Sequence, residues 1–217
     1  MFKKLTEREM DDILEAGIAE FAENGPDKAN MHVIARKSGV SVGVLYKYYE
    51  NKDAFFAACL RHCLAELERV LREVLQGEDK ILSRAERLMR ALLKSAKEQP
   101  GYHVLYHEIT AGSCRRYAPA FAREIESISS AAYTALLMSA QGQGDIRSDM
   151  DPRYFAFFFD SLLMMLQFSY SCDYYKERLN IYCGDDAFFD DEAMVSELLK
   201  FLESAFTMER SQVLHRS

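Results

Sequence analysis

Residues Asn30 to Lys52 read NMHVIARKSGVSVGVLYKYYENK, and their spacing describes two short helices joined by a tight turn, the shape of a helix-turn-helix reader of DNA. Asn30 is suited to cap the first helix, whose inward positions are Val33, Ile34 and Ala35. Gly39 follows Ser38 where a left-handed residue is needed to end that helix. Ser41 then caps a second, shorter helix in which Leu45 and Tyr49, four apart, face the core together. Val42, Gly43, Tyr46 and Lys47 are left to point outward, and residues of those types suit a DNA surface.

Charge supports this reading locally. The formal net charge of the 217-residue chain is -7, which argues against a protein coated with nucleic acid. Between Lys28 and Lys52, however, Lys28, Arg36, Lys37, Lys47 and Lys52 stand against the single anion Glu50, so that segment is cationic and the remainder strongly acidic. An acidic body with one basic head predicts a small footprint, in which phosphate contacts position the head and a few base contacts specify the site.

Working toward the amino terminus, Thr6 and Glu9 form a capping box, and Met10, Ile13, Leu14, Gly17, Ile18, Phe21 and Ala22 recur at the spacing of one buried helical stripe. Gly25 and Pro26 end that helix. Taken together, ILEAGIAEFAENG (Ile13 to Gly25) and IARKSGVSVGVLYKYYENK (Ile34 to Lys52) resemble the amino-terminal domain of the TetR family of bacterial transcriptional regulators. The match runs through Ile13, Leu14, Ala16, Phe21, Gly25, Ile34, Ala35, Gly39, Val40, Ser41, Leu45, Tyr46, Tyr49, Asn51 and Lys52. It departs at Gly17, Asn30 and Tyr48, where the family usually has Ala, Thr and His. Gly17 is expected to cost its helix roughly 0.5–1 kcal/mol relative to Ala.

The resemblance implies an all-α protein: a three-helix DNA-binding domain over 1–52, joined by a long helix to a helical ligand-binding and dimerisation domain over 53–217. It implies that the second helix of the motif enters the major groove, with Val42, Gly43 and Lys47 near base edges and Tyr46, Tyr48 and Lys52 on phosphates. Packing inside the small domain is the other reading of the two tyrosines. Asn30, Arg36, Lys37 and Ser41 complete the expected DNA-facing set. The partners implied are a double-stranded palindromic operator, a second copy of the chain and a small, largely apolar effector, with repression released by that effector.

Helical periodicity continues through the remaining chain, and no strand alternation appears. A long helix after Asn51 carries Phe55, Phe56, Cys59, Leu60, Cys63, Leu64, Leu67, Val70, Leu71 and Val74 as far as Gly77. Ser83 with Glu86 reads as a second capping box, opening a helix that ends near Pro100. A short helix from Tyr102 to about Ala111 and another over Ala118 to Ala140 follow, and Asp151 with Pro152 starts a further one. In that helix, Tyr154 to Tyr170 is apolar nearly all round, which predicts burial on two sides. Asp160 and Gln167 interrupt it, so it is too short and too polar for a membrane span. With a last helix over Glu192 to Met208, it supplies the expected dimer residues: Phe155, Phe159, Leu162, Leu166, Leu198, Leu202 and Phe206.

For the effector the candidates are Tyr102, His103, Tyr106, His107, Glu108, Phe121, Phe158, Asp160, Met164 and Phe168, several of which are equally suited to plain core. A lone carboxylate such as Asp160 needs a cation, a hydrogen-bond partner or a raised pKa. A metal- or redox-sensing alternative uses His103 and His107, with Glu108 or Cys114, or else Cys59, His62 and Cys63. The five cysteines, including Cys172 and Cys183, follow no disulfide spacing and fit reduced thiols in a bacterial cytoplasm. The sequence carries no glycine-rich phosphate loop, no G-x-S-x-G elbow and no H-E-x-x-H, so neither enzyme, cofactor nor resident metal is expected.

Overall fold

A computed structural model describes residues 5–76, 79–110 and 117–207. Among these the regular elements are all helical: α1 (Glu7–Lys28), α2 (Met31–Lys37), α3 (Val42–Tyr48), α4 (Lys52–Leu75), α5 (Ile81–Glu98), α6 (Pro100–Thr110), α7 (Ala118–Gln143), α8 (Pro152–Ser171), α9 (Asp173–Cys183) and α10 (Asp191–Thr207), with one 3-10 turn at Ala187–Phe189. Two compact units result, one from residues 1–67 and 99–122 and the other from 68–98 and 123–217. The expected helix ends at Gly77, Ala111 and Met208 lie outside the described residues, as does Cys114.

The first unit begins with the anticipated box: Thr6 Oγ1 accepts from the Glu9 amide at 3.2 Å, while Glu9 Oε2 accepts from the Thr6 amide at 2.8 Å. Gly25, at φ 69°, breaks the helical path, and one more turn runs from Pro26 to Lys28. Ile13, Ile18, Phe21, Ile34, Leu45, Phe55 and Phe56 are all buried in this unit. Aromatic rings dominate this core, with Phe21 edge-on to Phe56 at 4.9 Å and Tyr49 tilted on Phe55 at 4.8 Å. α6 packs on α1. The two approach closely at Gly101, where a Cβ would stand 3.3 Å from Ile18 Cγ2.

The second unit is organised on α5, whose Ile81, Ala85, Leu88, Met89, Leu92, Leu93 and Ala96 form one buried stripe facing α8 and α10. At its rim Arg90 pairs with Glu192 and Lys97 with Asp191, so two cations of α5 hold the start of α10. Exposed pairs of this kind contribute only about 0–1 kcal/mol each. The chain turns from α7 to α8 around Gln141, whose side-chain amide donates to the carbonyls of Arg147 and Met150. Asp151 caps α8 through the Arg153 amide at 2.9 Å, with Pro152 in the first turn as expected.

One expectation is corrected here. α5 is already helical at Ile81, so Ser83 lies inside it and is not its cap. Glu86 instead accepts from Arg90 one turn later. α9 did not announce itself: it follows α8 at a 102° bend, and only Leu179 of its residues is buried. In the single chain α8 buries one side, as expected of a helix whose other side is left for a second copy. Phe155, Phe159 and Leu166 are buried within the unit, whereas Tyr154, Phe157 and Phe158 are more than half exposed. No single helix among the described residues is long and apolar enough to cross a membrane; only α8 and α9 taken together, across their bend, meet such a test.

Candidate DNA-binding face

The turn between α2 and α3 is built from local chemistry. Asn30 Oδ1 accepts from the His32 amide at 2.9 Å and opens α2. Gly39, at φ 70°, closes it, letting the Val40 amide reach back to the Ala35 carbonyl at 3.0 Å. Ser41 occupies the cap position of α3 without a side-chain cap bond, so its exposed hydroxyl is not consumed there. Leu45 is fully buried and holds α3 to the unit. This anchoring leaves Gly43, Tyr46, Lys47 and Tyr48 exposed and Val42 half-buried, a continuous outer surface of a seven-residue helix.

Two observations bear on how closely another molecule can approach. A Cβ built on Gly43 would find only Ser41 Oγ nearby, at 3.8 Å, so the backbone there lies open. The two tyrosines are 49% and 37% exposed, which removes the packing reading for Tyr46 and most of it for Tyr48. Tyr48 Oη accepts from the Leu5 amide at 3.0 Å, and its own proton remains a donor.

Arg36, Lys37 and Lys47 are all exposed, the Lys37 side chain by 43%. Lys37 also stands 3.2 Å from Glu20 Oε2 and 3.9 Å from Glu23 Oε2. Lys52 Nζ donates to the carbonyls of Asp27 at 2.7 Å and Ala29 at 3.3 Å, tying α4 to the chain between α1 and α2. The expected phosphate contact at Lys52 and DNA-facing role of Lys37 therefore meet side chains that also have partners in the domain, Lys37 remaining 43% exposed.

The ten effector candidates are split between units, with Tyr102, His103, Tyr106, His107, Glu108 and Phe121 in the first and Phe158, Asp160, Met164 and Phe168 in the second. Tyr102 donates to Glu15 Oε1, which His62 Nε2 also meets at 3.0 Å. Burial first, and then the Glu15 carboxylate, raises the Tyr102 phenol above its ordinary range. Phe121 is buried, with the Arg61 guanidinium 5.5 Å from its ring centre. His103 is buried, while Tyr106, His107 and Glu108 are half-buried. In the second unit, Phe168 is fully buried on Tyr175 and Met164 is half-buried. Phe158 is a surface residue, beside Arg153, Tyr154 and Phe157 on an open apolar concavity.

Asp160 faces Glu126 and accepts from Ser129, with no Arg or Tyr pairing among the described residues. Burial, followed by Glu126, raises its carboxyl to about 6. The folded-state pKa lies above the unfolded one, so the stability this group leaves intact below about pH 4 is lost as pH rises from about 4 through 6, and the loss is constant above that. Asp160→Asn is accordingly expected to stabilise the protein by about 1–3 kcal/mol at neutral pH. The gain should vanish in urea melts run near pH 4, and an equal gain at both pH values would contradict the titration.

The metal and redox alternative is not supported. Among the described residues no three His, Cys, Asp or Glu side chains are grouped to hold a metal ion. Burial pushes the thiols of Cys59 and Cys63 up, with neighbouring negative charge adding to the effect, the opposite of an activated thiolate.

A helix-turn-helix with its core face buried and its outer face exposed has the form of a DNA reader. Residues 13–59 match the family model described as "Bacterial regulatory proteins, tetR family". The chain thus carries a tetR-family regulatory domain. Over 76 residues it is 30% identical to the uncharacterized HTH-type transcriptional regulator YvdT of Bacillus subtilis (strain 168), a match spanning 35% of this chain and 39% of that relative. In fold it is similar to the fatty acid degradation regulator FadR from Bacillus halodurans, with a TM-score of 0.69 at 18% identity over 88% of this chain and 97% of the other. It is likewise similar to FadR from Bacillus subtilis in complex with stearoyl-CoA, with a TM-score of 0.67 at 16% identity over 88% and 97%.

Proposed function

We propose that this protein is a homodimeric, one-component transcriptional repressor that binds a palindromic operator and leaves it when a small, largely apolar molecule binds the helical region beyond the DNA-binding domain. The functional division falls at 1–52 and 53–217. The observation that carries the reading is the surface of α3: Leu45 anchors it, and Ser41, Gly43, Tyr46 and Lys47 are exposed on it. In this reading Val42, Gly43 and Lys47 approach base edges, while Arg36, Ser41, Tyr46 and Tyr48 supply phosphate contacts. Asn30 and Lys52 hold the motif's geometry from inside.

For the dimer face the reading uses residues other than those expected. Phe155, Phe159, Leu166, Leu202 and Phe206 already serve the core of one chain, with Phe155 edge-on to Phe206 at 5.0 Å. The side chains available to a second copy are Tyr154, Phe157, Phe158 and half-buried Leu162 on α8, and half-buried Leu198 with exposed Phe201 on α10. An apolar effector is supported by the apolar candidates named above and by the acyl-CoA held by one structural relative. Binding acts as a population shift, weakening DNA affinity only by the effector's preference for the state whose two heads are out of register. The cytoplasm, where DNA is, is the place of action.

Gly43→Leu separates folding from reading. The open space at Gly43 and the poor helix propensity of glycine predict an unchanged or raised melting temperature. A branched side chain on the closest backbone should nevertheless lower affinity for an operator selected from a random duplex library by about 100-fold, equivalent to about 2.7 kcal/mol. Retained affinity would remove α3 from the groove.

A further inference from the structure

We propose that Glu20 is a positioning residue for DNA reading: its buried carboxylate braces both ends of α2, through the Asn30 amide and the half-exposed Lys37 ammonium, and neutralises that ammonium. The inference rests on the DNA reading given above. Glu20 lies on α1 and is only 4% exposed. Oε1 accepts from the Asn30 amide at 3.2 Å, at the cap that opens α2, and Oε2 meets Lys37 Nζ at 3.2 Å, at the last residue of the same helix. One carboxylate therefore touches the beginning and the end of a seven-residue helix. Glu23 Oε2, 3.9 Å from the same ammonium, adds a second, exposed anion on the outer side.

An ion pair whose Lys37 partner is 43% exposed is a weak source of stability. What the pair does supply is geometry. α3 is joined to α2 by four residues and packs directly on it, so the angle of α2 sets the angle at which α3 meets a groove. A helix too short to be stable alone depends on such outside constraints. The same contact also sets the electrostatic footprint, because an ammonium bound to a buried carboxylate releases no counterion when DNA binds.

The test compares affinities for a random-sequence duplex and for a duplex selected from a random library, each over a range of salt. Lys37→Met should leave the slope of log K against log salt unchanged, whereas Lys47→Met should reduce it by about 0.9. The double variant Glu20→Leu with Lys37→Met should stay folded and melt lower only by the loss of one hydrogen bond to the Asn30 amide. It should nevertheless lose about tenfold in the ratio of selected to random affinity, a readout that a merely structural pair would not move. A slope reduced by about 0.9 in Lys37→Met, or an unchanged ratio in the double variant, overturns the inference while leaving DNA binding intact. A parent protein that binds neither duplex overturns the DNA reading and this inference with it.

Discussion

Phe157→Glu combined with Phe201→Glu converts the protein to a monomer of 24.9 kDa with an unchanged helical spectrum. Phe157 is 65% and Phe201 59% exposed, so neither substitution opens a cavity in the single chain. In the proposed dimer each glutamate would enter an apolar interface, and a twofold axis doubles the insult to four carboxylates. Leaving a charge in such a place without a partner costs several kcal/mol, more than a standard interface can lose and remain associated at micromolar concentration. The second head of a dimer binds as an intramolecular event, so its loss should reduce operator affinity by at least about 100-fold. Sedimentation velocity and DNA titration on the same sample read both effects. A double variant that sediments as a dimer places the interface elsewhere.

Gly17→Ala lowers stability, against the expectation from helix propensity. Alanine in place of a mid-helix glycine ordinarily gains about 0.5–1 kcal/mol. Here a Cβ would stand 2.6 Å from the Phe55 ring and 2.7 Å from Cys59 Sγ, distances at which something must move. Neither neighbour has room, since both are fully buried. Overpacking of this kind costs about 1–3 kcal/mol, which exceeds the propensity gain. Urea melts should show the loss, and Phe55→Leu should cost less in the Gly17→Ala background than alone, because it returns the missing space. A stabilised single variant would mean that α1 and α4 sit further apart than described.

The segments that could be read from sequence were those whose geometry is written in local side chains. Thr6 and Glu9, Asn30, Gly39, and Asp151 with Pro152 each fix a helix end through a neighbour only a few residues away. Ser83 and Glu86 have the same spacing but sit inside a helix, because the buried stripe of α5 starts at Ile81 and carries the helix past them. α9 gave no signal since its sequence, DYYKERLNIYC, exposes Tyr174, Ile181 and Tyr182 and has no consistent apolar face. On α8, aromatic residues occupy opposite sides, and composition alone cannot say that Phe155 and Phe159 face inward while Phe157 and Phe158 face out.

The candidate site was legible in outline for the same reason. The outer surface of α3 follows from Leu45 and the turn, both local. The engagement of Lys37 and Lys52 does not, since their partners lie 17 and 25 residues away in sequence. Counting cations gives the sign of a surface, but which charges remain for a ligand depends on tertiary neighbours such as Glu20. The dispersion of the effector candidates over two units has a similar origin: aromatic residues fill cores and pockets alike, and Phe121 and Phe168 are core.

The most direct test is a titration of the purified protein against the DNA immediately upstream of its own coding region, followed by fluorescence anisotropy at rising salt. The account predicts saturable binding to that fragment, tighter than to a random duplex of equal length, with log K falling linearly against log salt and with Lys47→Met weakening both. Absence of binding at low salt, or binding indifferent to salt and to Lys47, would contradict it.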